Sequence, residues 1–181
     1  MLLIDQPVAR WVTSLPSWLQ TVGIWISEAT SPVFVLPLIF GTSAFALLYA
    51  KARQKPASTF GVFCLCCGVA AVLSSLLVKN IIGRARPAAL HGWDTSLFKP
   101  FAFDDAFASL PSTQAAFAAA VACSAAIQFP QYRVILLTAG ALTCAARIFA
   151  GEHWPSDVIA GWALGWLVTL ALLKLSNTRL H

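Results

Sequence analysis

Five stretches of the sequence carry no charged side chain: residues 29–50, 56–78, 106–132, 134–146 and 158–173. A helix needs about 20 residues to cross the hydrocarbon of a bilayer, and runs of this kind leave few other folds open. The longer three meet that length alone, and the shorter two meet it by extending past one flanking charge. The pattern predicts an all-α fold, a polytopic membrane helix bundle forming a single domain over residues 1–181, with spans at about 32–50, 58–79, 111–129, 133–150 and 156–174. Residues 6–28 carry Trp11, Trp18 and Trp25 with Pro16 between them and charges at both ends, which suits a helix lying at the interface. The bundle has five spans if that segment lies flat and six if it crosses.

Composition excludes other classes. Charged residues make up only 10% of the chain, against about 25% in soluble domains. The formal charge of +5 comes from 12 Lys and Arg scattered between apolar runs, without the dense basic face that binds nucleic acid. Cys64, Cys66, Cys67, Cys123 and Cys144 all lie inside apolar runs and read as small buried core residues, not as a disulfide framework or a metal site. Asp5 interrupts the apolar start, so the N-terminus lacks the form of a secretory signal and is expected to stay in the mature protein.

If the five spans alternate, Lys51, Arg53, Lys55, Arg133, Lys174 and Arg179 share one side, which the positive-inside bias makes cytoplasmic. All seven acidic residues then fall on the outer side with Arg10, Lys79, Arg84, Arg86, Lys99 and Arg147. Basic groups gathered where sorting does not favour them suggest an anion site. The connection 88–110, with His91, Asp94, Lys99, Asp104 and Asp105, is long enough to be read as functional. Gly161 and Gly165 on the last span, and the alanines of 115–122, read as surfaces for close helix contact.

The candidate chemistry lies on the outer side. Lys79 and Arg86, seven residues apart, would project from one face of a helix that Pro87 ends. They could equally reach up to lipid headgroups. Pro111 and Ser112 open the third span where unpaired backbone N–H groups attract anions, although Ser112 and Ser109 are equally good helix caps. Arg147, His153 and Asp157 straddle the last two spans. At one helical turn's spacing, Asp157 can hold one imidazole nitrogen of His153 at an aqueous face and leave the other as a nucleophile. Three histidines, with His181 on the opposite side, make a poor metal set.

Together these blocks resemble the type 2 phosphatidic acid phosphatase superfamily, integral-membrane lipid phosphatases related to vanadium haloperoxidases. Lys79–Pro87 (KNIIGRARP) matches the first signature block in full. Pro111–Gln114 (PSTQ) matches the second at Pro and Ser, and Ala146–Asp157 (ARIFAGEHWPSD) matches the third except that Ala146 replaces a usual Ser. The resemblance implies a haloperoxidase-like phosphatase core in which His153 attacks phosphorus and becomes a phosphohistidine, oriented by Asp157. Lys79, Arg86, Ser112 and Arg147 would hold the phosphoryl oxygens. It implies no cofactor and no metal, a lipid phosphate or diphosphate as substrate, the bilayer as surroundings, and a bacterial inner membrane with the site facing the periplasm or exterior.

One departure bears on substrate. The second block of the family normally ends in a His that protonates the leaving oxygen, and Gln114 stands there. An amide donates a hydrogen bond but no proton. General acid catalysis contributes about 10²–10⁴-fold, and the loss matters least when the leaving group is a phosphate monoester, whose second pKa is about 6. Gln114 therefore favours a polyprenyl (undecaprenyl) diphosphate, or phosphoryl transfer from it to another lipid. Alternatively His91, Asp104, Asp105 or Glu152 supplies the proton, or the chain is a relative that binds phosphorylated lipid without turnover. A channel or transporter gains little support, because no charge lies mid-span.

Overall fold

The computed structural model describes residues 3–54, 58–87 and 96–176. Within them the chain forms seven α-helices: α1 (Asp5–Ser14), α2 (Ser17–Ala29), α3 (Pro32–Ala52), α4 (Phe60–Ile82), α5 (Thr113–Gln128), α6 (Arg133–Phe149) and α7 (Pro155–Ser176). The all-α bundle is as expected; its only non-helical pairing among the described residues is an isolated bridge between Arg84 and Phe98. Prolines set several boundaries. Pro32 and Pro155 stand at first positions of α3 and α7, where a missing N–H costs nothing, and Pro16 divides the tryptophan-rich segment into α1 and α2. Gln20 ties that corner together by donating to the carbonyls of Val12 and Leu15 at 3.2 and 3.1 Å.

The expected count of five or six spans is not reached. Among the described residues four helical stretches are long and apolar enough to cross a membrane: Ser17–Ala52, which holds α2 and α3, Phe60–Ile82, Pro130–Phe149 and Pro155–Ser176. The helix that falls short is α5, whose 16 residues extend about 24 Å. Its position explains why. It is packed by α4, α6 and α7 and buried on nearly every face, so its neighbours, not its own side chains, meet the lipid. Phe34, Phe45, Leu73, Leu77, Val134, Leu142 and Leu167 are exposed on the surrounding helices, an apolar shell that suits hydrocarbon and would aggregate in water.

Small residues make the centre. A Cβ on Gly161 would stand 2.4 Å from the Ser112 carbonyl oxygen, and one on Gly165 would stand 2.0 Å from that of Ala116. Backbone of α7 thus lies directly against α5, which fixes the start of α7 beside the start of α5. Cys64, Cys67, Cys123 and Cys144 are buried as expected, but Cys66 is exposed. Cys64 and Cys67 share an inward face of α4, and the helical rotation turns the residue between them outward.

Candidate active site

Asp157 sits in the first turn of α7, where the helix dipole favours a negative charge. Its Oδ2 reaches back to accept the Trp154 N–H at 3.0 Å, the return half of a capping box. Trp154 is itself fully buried and donates Nε1–H to the Ala85 carbonyl at 3.0 Å. His153, held next to this anchor, is only 3% exposed, so the expectation of an imidazole at an aqueous face is corrected: the packed α6–α7 connection encloses it. Its Nδ1 has no hydrogen-bond partner among the described residues and stands 3.7 Å from Asp157 Oδ2, too long for a hydrogen bond but close enough for electrostatic attraction.

The cations converge by a different route from the one the spacing suggested. Lys79 and Arg86 do not share a helix face, because α4 ends at Ile82 and Gly83 turns left-handed at φ 64°, its N–H bonded to the Lys79 carbonyl at 2.8 Å. Only glycine fits: a Cβ there would lie 1.9 Å from the Lys99 carbonyl oxygen. Beyond it the chain is laced to the returning part of the long connection. Ala85 N–H donates to Leu97 and Arg86 N–H to Ala106, at 3.0 and 2.9 Å, and Arg86 Nε–H donates to the Asp105 carbonyl at 2.9 Å. This strap sets Arg86. His91 and Asp94 lie outside the described residues.

Lys79, buried at the end of α4, is within electrostatic reach of Arg86, Arg147, Asp105 and Asp157, and His153 is within reach of Arg147, Arg86 and Asp157. Arg147, near the end of α6, donates Nη2–H to Glu152 and Nη1–H to the Ser27 hydroxyl. Glu152 also faces Arg86 Nη1 at 3.7 Å. These two, 36% and 25% exposed at their side chains, form the open rim of a site whose floor is buried.

Ser112 is the residue that caps α5: its Oγ accepts Ala115 N–H at 3.4 Å, and its own N–H donates to the Asp157 carbonyl at 3.0 Å. That leaves its hydroxyl proton available to an anion. Ser109, the rival cap, donates instead to Asp157 Oδ2 at 2.5 Å. Gln114 is buried, its amide nitrogen donating to the Ser27 carbonyl and to Thr30 Oγ1, the latter at 3.1 Å. It ties α5 to α2. Among the other acids, Asp104 accepts the Ala106 N–H at 3.0 Å as a turn cap.

Arg84 was missed by motif spacing. Almost wholly buried, it donates Nη1–H to Asp157 Oδ1 at 2.5 Å and to Ser156 Oγ at 2.6 Å, and Nη2–H to Asp5 Oδ2 at 2.9 Å. Asp5 in turn accepts the Ser156 N–H at 2.9 Å and its hydroxyl at 2.6 Å. The sequence offered one signal, a third cation inside KNIIGRARP, and one faint one, an acid set in an apolar N-terminus.

Burial holds the His153 imidazole down, to about 4 from an ordinary 6.5, with Asp157 pulling the other way and Arg147 and Arg86 adding to the lowering. It is neutral at neutral pH. No group of three or more His, Cys, Asp or Glu side chains is gathered as a metal site among the described residues. A neutral imidazole beside a carboxylate and within electrostatic reach of two arginines, themselves within reach of a lysine, can attack an electrophile that carries negative charge.

The family model described as the PAP2 superfamily matches residues 59–180. The lipid A 1-phosphatase of Rhizobium johnstonii is 31% identical over 182 residues, covering 96% of this chain and 74% of its own. The undecaprenyl-diphosphatase of Sulfolobus acidocaldarius is 26% identical, over 75% of this chain and 62% of its own. In fold, the chain is similar to the crystal structure of a transmembrane PAP2-type phosphatidylglycerolphosphate phosphatase from Bacillus subtilis, with a TM-score of 0.71 and 24% identity over 98% of this chain and 87% of that one.

Proposed function

Because the chain belongs to the PAP2 superfamily, we propose that it is a metal-independent membrane lipid phosphatase working through a phosphohistidine, with its site at the outer face of a bacterial inner membrane. The observation that carries this reading is His153, neutral and enclosed, with Asp157 on its Nδ1 side, Arg147 and Arg86 within electrostatic reach of it, and Lys79 within reach of Asp157 and of both arginines. Nε2 attacks phosphorus, the bond to the leaving oxygen breaks, and that oxygen keeps the electron pair. The three cations and the Ser112 hydroxyl neutralise the equatorial oxygens, a task a metal performs elsewhere. Water then attacks the phosphohistidine, releasing phosphate and restoring His153. A cavity of about 230 Å³ beside His153, walled by Ala9, Val12, Pro87 and Ile148, offers an apolar surface to the lipid next to its phosphate.

Gln114 supports a substrate whose leaving group departs without a proton, because its amide is committed to α2. A polyprenyl diphosphate fits, leaving as a phosphate monoester. The Rhizobium relative supports a second reading, the 1-phosphate of lipid A. Its leaving oxygen is a sugar hemiacetal, more acidic than an alkanol, so it fits the same deficiency to a smaller degree. Glu152, the acid that touches both arginines, is the alternative proton donor.

The deciding experiment compares phosphate release from undecaprenyl diphosphate, lipid A 1-phosphate and a simple lipid monophosphate such as phosphatidic acid, all in excess EDTA, by wild type and Gln114→His. Wild type should turn over the first two and be slow on the third. The substitution should raise the third most, by no more than the general-acid contribution of about 10²–10⁴-fold. Equal wild-type rates on all three, unchanged in Gln114→His and lost on the monophosphate in Glu152→Gln, would assign the proton to Glu152. Transfer of phosphate to an added lipid acceptor would make the chain a phosphotransferase, and binding without turnover of any substrate would make it a non-catalytic relative.

The lowered imidazole sets a pH prediction. A histidine at 6.5 is half protonated there and cannot attack, whereas His153 stays neutral down to about 4. Once the substrate's own second ionisation near pH ~6 has been divided out, the acid limb of kcat/KM should fall near 4; a limb at 6.5 would place the reacting histidine in water.

A further inference from the structure

The mechanism uses Asp157 but leaves unexplained the buried carboxylate on the far side of Arg84. Asp5, Arg84 and Asp157 are all 1% exposed or less. Arg84 is shared, one nitrogen to each acid, and Ser156 bonds to both Asp5 and Arg84. These three side chains sum to two negative charges and one positive. If Arg84 paired with Asp157 alone the pair would be neutral, and His153, 3.7 Å away, would face a carboxylate whose field its own partner cancels.

We propose that Asp5, brought from α1 to the start of α7, is a positioning residue for phosphoryl transfer: by holding half of Arg84 it leaves Asp157 with net negative charge toward His153. The inference rests on the phosphohistidine reading above. When Nε2 forms its bond to phosphorus and the leaving oxygen takes the P–O electron pair, a ring that keeps its Nδ1 proton becomes positively charged. That charge develops beside Asp157 in a water-poor setting, where a nearby unit of charge has a large effect. The geometry also explains why an acid occupies an otherwise apolar N-terminus. An anchoring role alone needs only a hydrogen-bond acceptor, whereas electrostatic balance needs the charge.

Asp5→Asn keeps the shape and an acceptor oxygen while removing the charge, so it separates the two roles. Rapid-quench measurement of phosphohistidine formation, with undecaprenyl diphosphate labelled at the terminal phosphorus as the probe, reads the step directly. The rate constant per trappable site should fall on the order of 10- to 50-fold, with KM within about threefold, since Asp5 touches no substrate. A rate constant equal to wild type, however much protein folds, overturns the proposal. If Asp5→Asn does not fold, Asp5→Ser removes the same charge and keeps a hydroxyl acceptor; it should slow the same step by a similar factor, and an unchanged rate there overturns the proposal too. A wild type that traps no phosphohistidine would overturn the mechanism on which the inference rests, and is distinguishable because it requires no variant.

Discussion

His153→Ala is expected to stop phosphate release altogether, by on the order of 10⁴-fold or more in kcat, the scale seen when a nucleophile is removed and only binding and charge stabilisation remain. No trappable phosphoenzyme should form. Because the imidazole is enclosed and its Nδ1 makes no hydrogen bond among the described residues, the variant leaves a small cavity, so it should still purify as a folded, detergent-soluble protein. Phosphate release and acid-labile protein phosphate, measured on the same preparation, check both halves. Near-normal turnover would exclude the mechanism.

The next largest effect should come from Asp157→Asn. The carboxylate meets Arg84, the Ser109 hydroxyl and the Trp154 N–H, and an amide can satisfy part of that set while losing the charge. Orienting acids of this kind, removed with their shape kept, cost kcat about 10³–10⁴-fold in comparable nucleophile–base pairs. KM should change little, because Asp157 lies behind the imidazole and away from the phosphoryl group. Stability should fall as well, since breaking a buried ion pair costs about 3–5 kcal/mol, with Asp5 still neutralising Arg84 and holding the loss toward the low end. Thermal unfolding in detergent and a kcat-against-KM comparison test the two expectations. A proportionate loss of folded protein with normal turnover per site would make Asp157 purely structural.

Much of the bundle was legible because lipid imposes a simple rule on sequence. Helices α3, α4, α6 and α7 begin and end within a few residues of where the charges predicted. α5 was counted as a span for the same reason, an uncharged run, although charge alone does not tell a lipid-facing helix from one surrounded by protein. The path from Lys79 to Arg86 was misread by running the helix through Gly83, a glycine placed where a left-handed cap ends a helix. The site's motif residues were readable as types and spacings. What supports them was not, because Arg84 meets Asp157 and Asp5 across 73 and 79 positions of sequence, and Asp5 meets Ser156 across 151. Such contacts depend on tertiary approach, and no local period encodes them. Ser109 and Ser112 show the same limit: both suit a cap, and only the position of α7 decides which one turns to Asp157.

The short, buried α5 also constrains how the protein enters its membrane. Eight of its 16 residues are alanine, with Thr113, Gln114, Ser124 and Gln128 among the rest, so it carries little of the leucine-rich bulk that drives a helix into lipid by itself. Its favourable surroundings are supplied by α4, made before it, and by α6 and α7, made after. During synthesis the segment must therefore wait beside the insertion machinery, or lie at the interface, until the last two helices emerge to enclose it. Ser112, at the head of that segment, and His153, on the connection between those two helices, consequently take their places in one late event, and a chain stopped before α7 would hold neither a complete bundle nor a site.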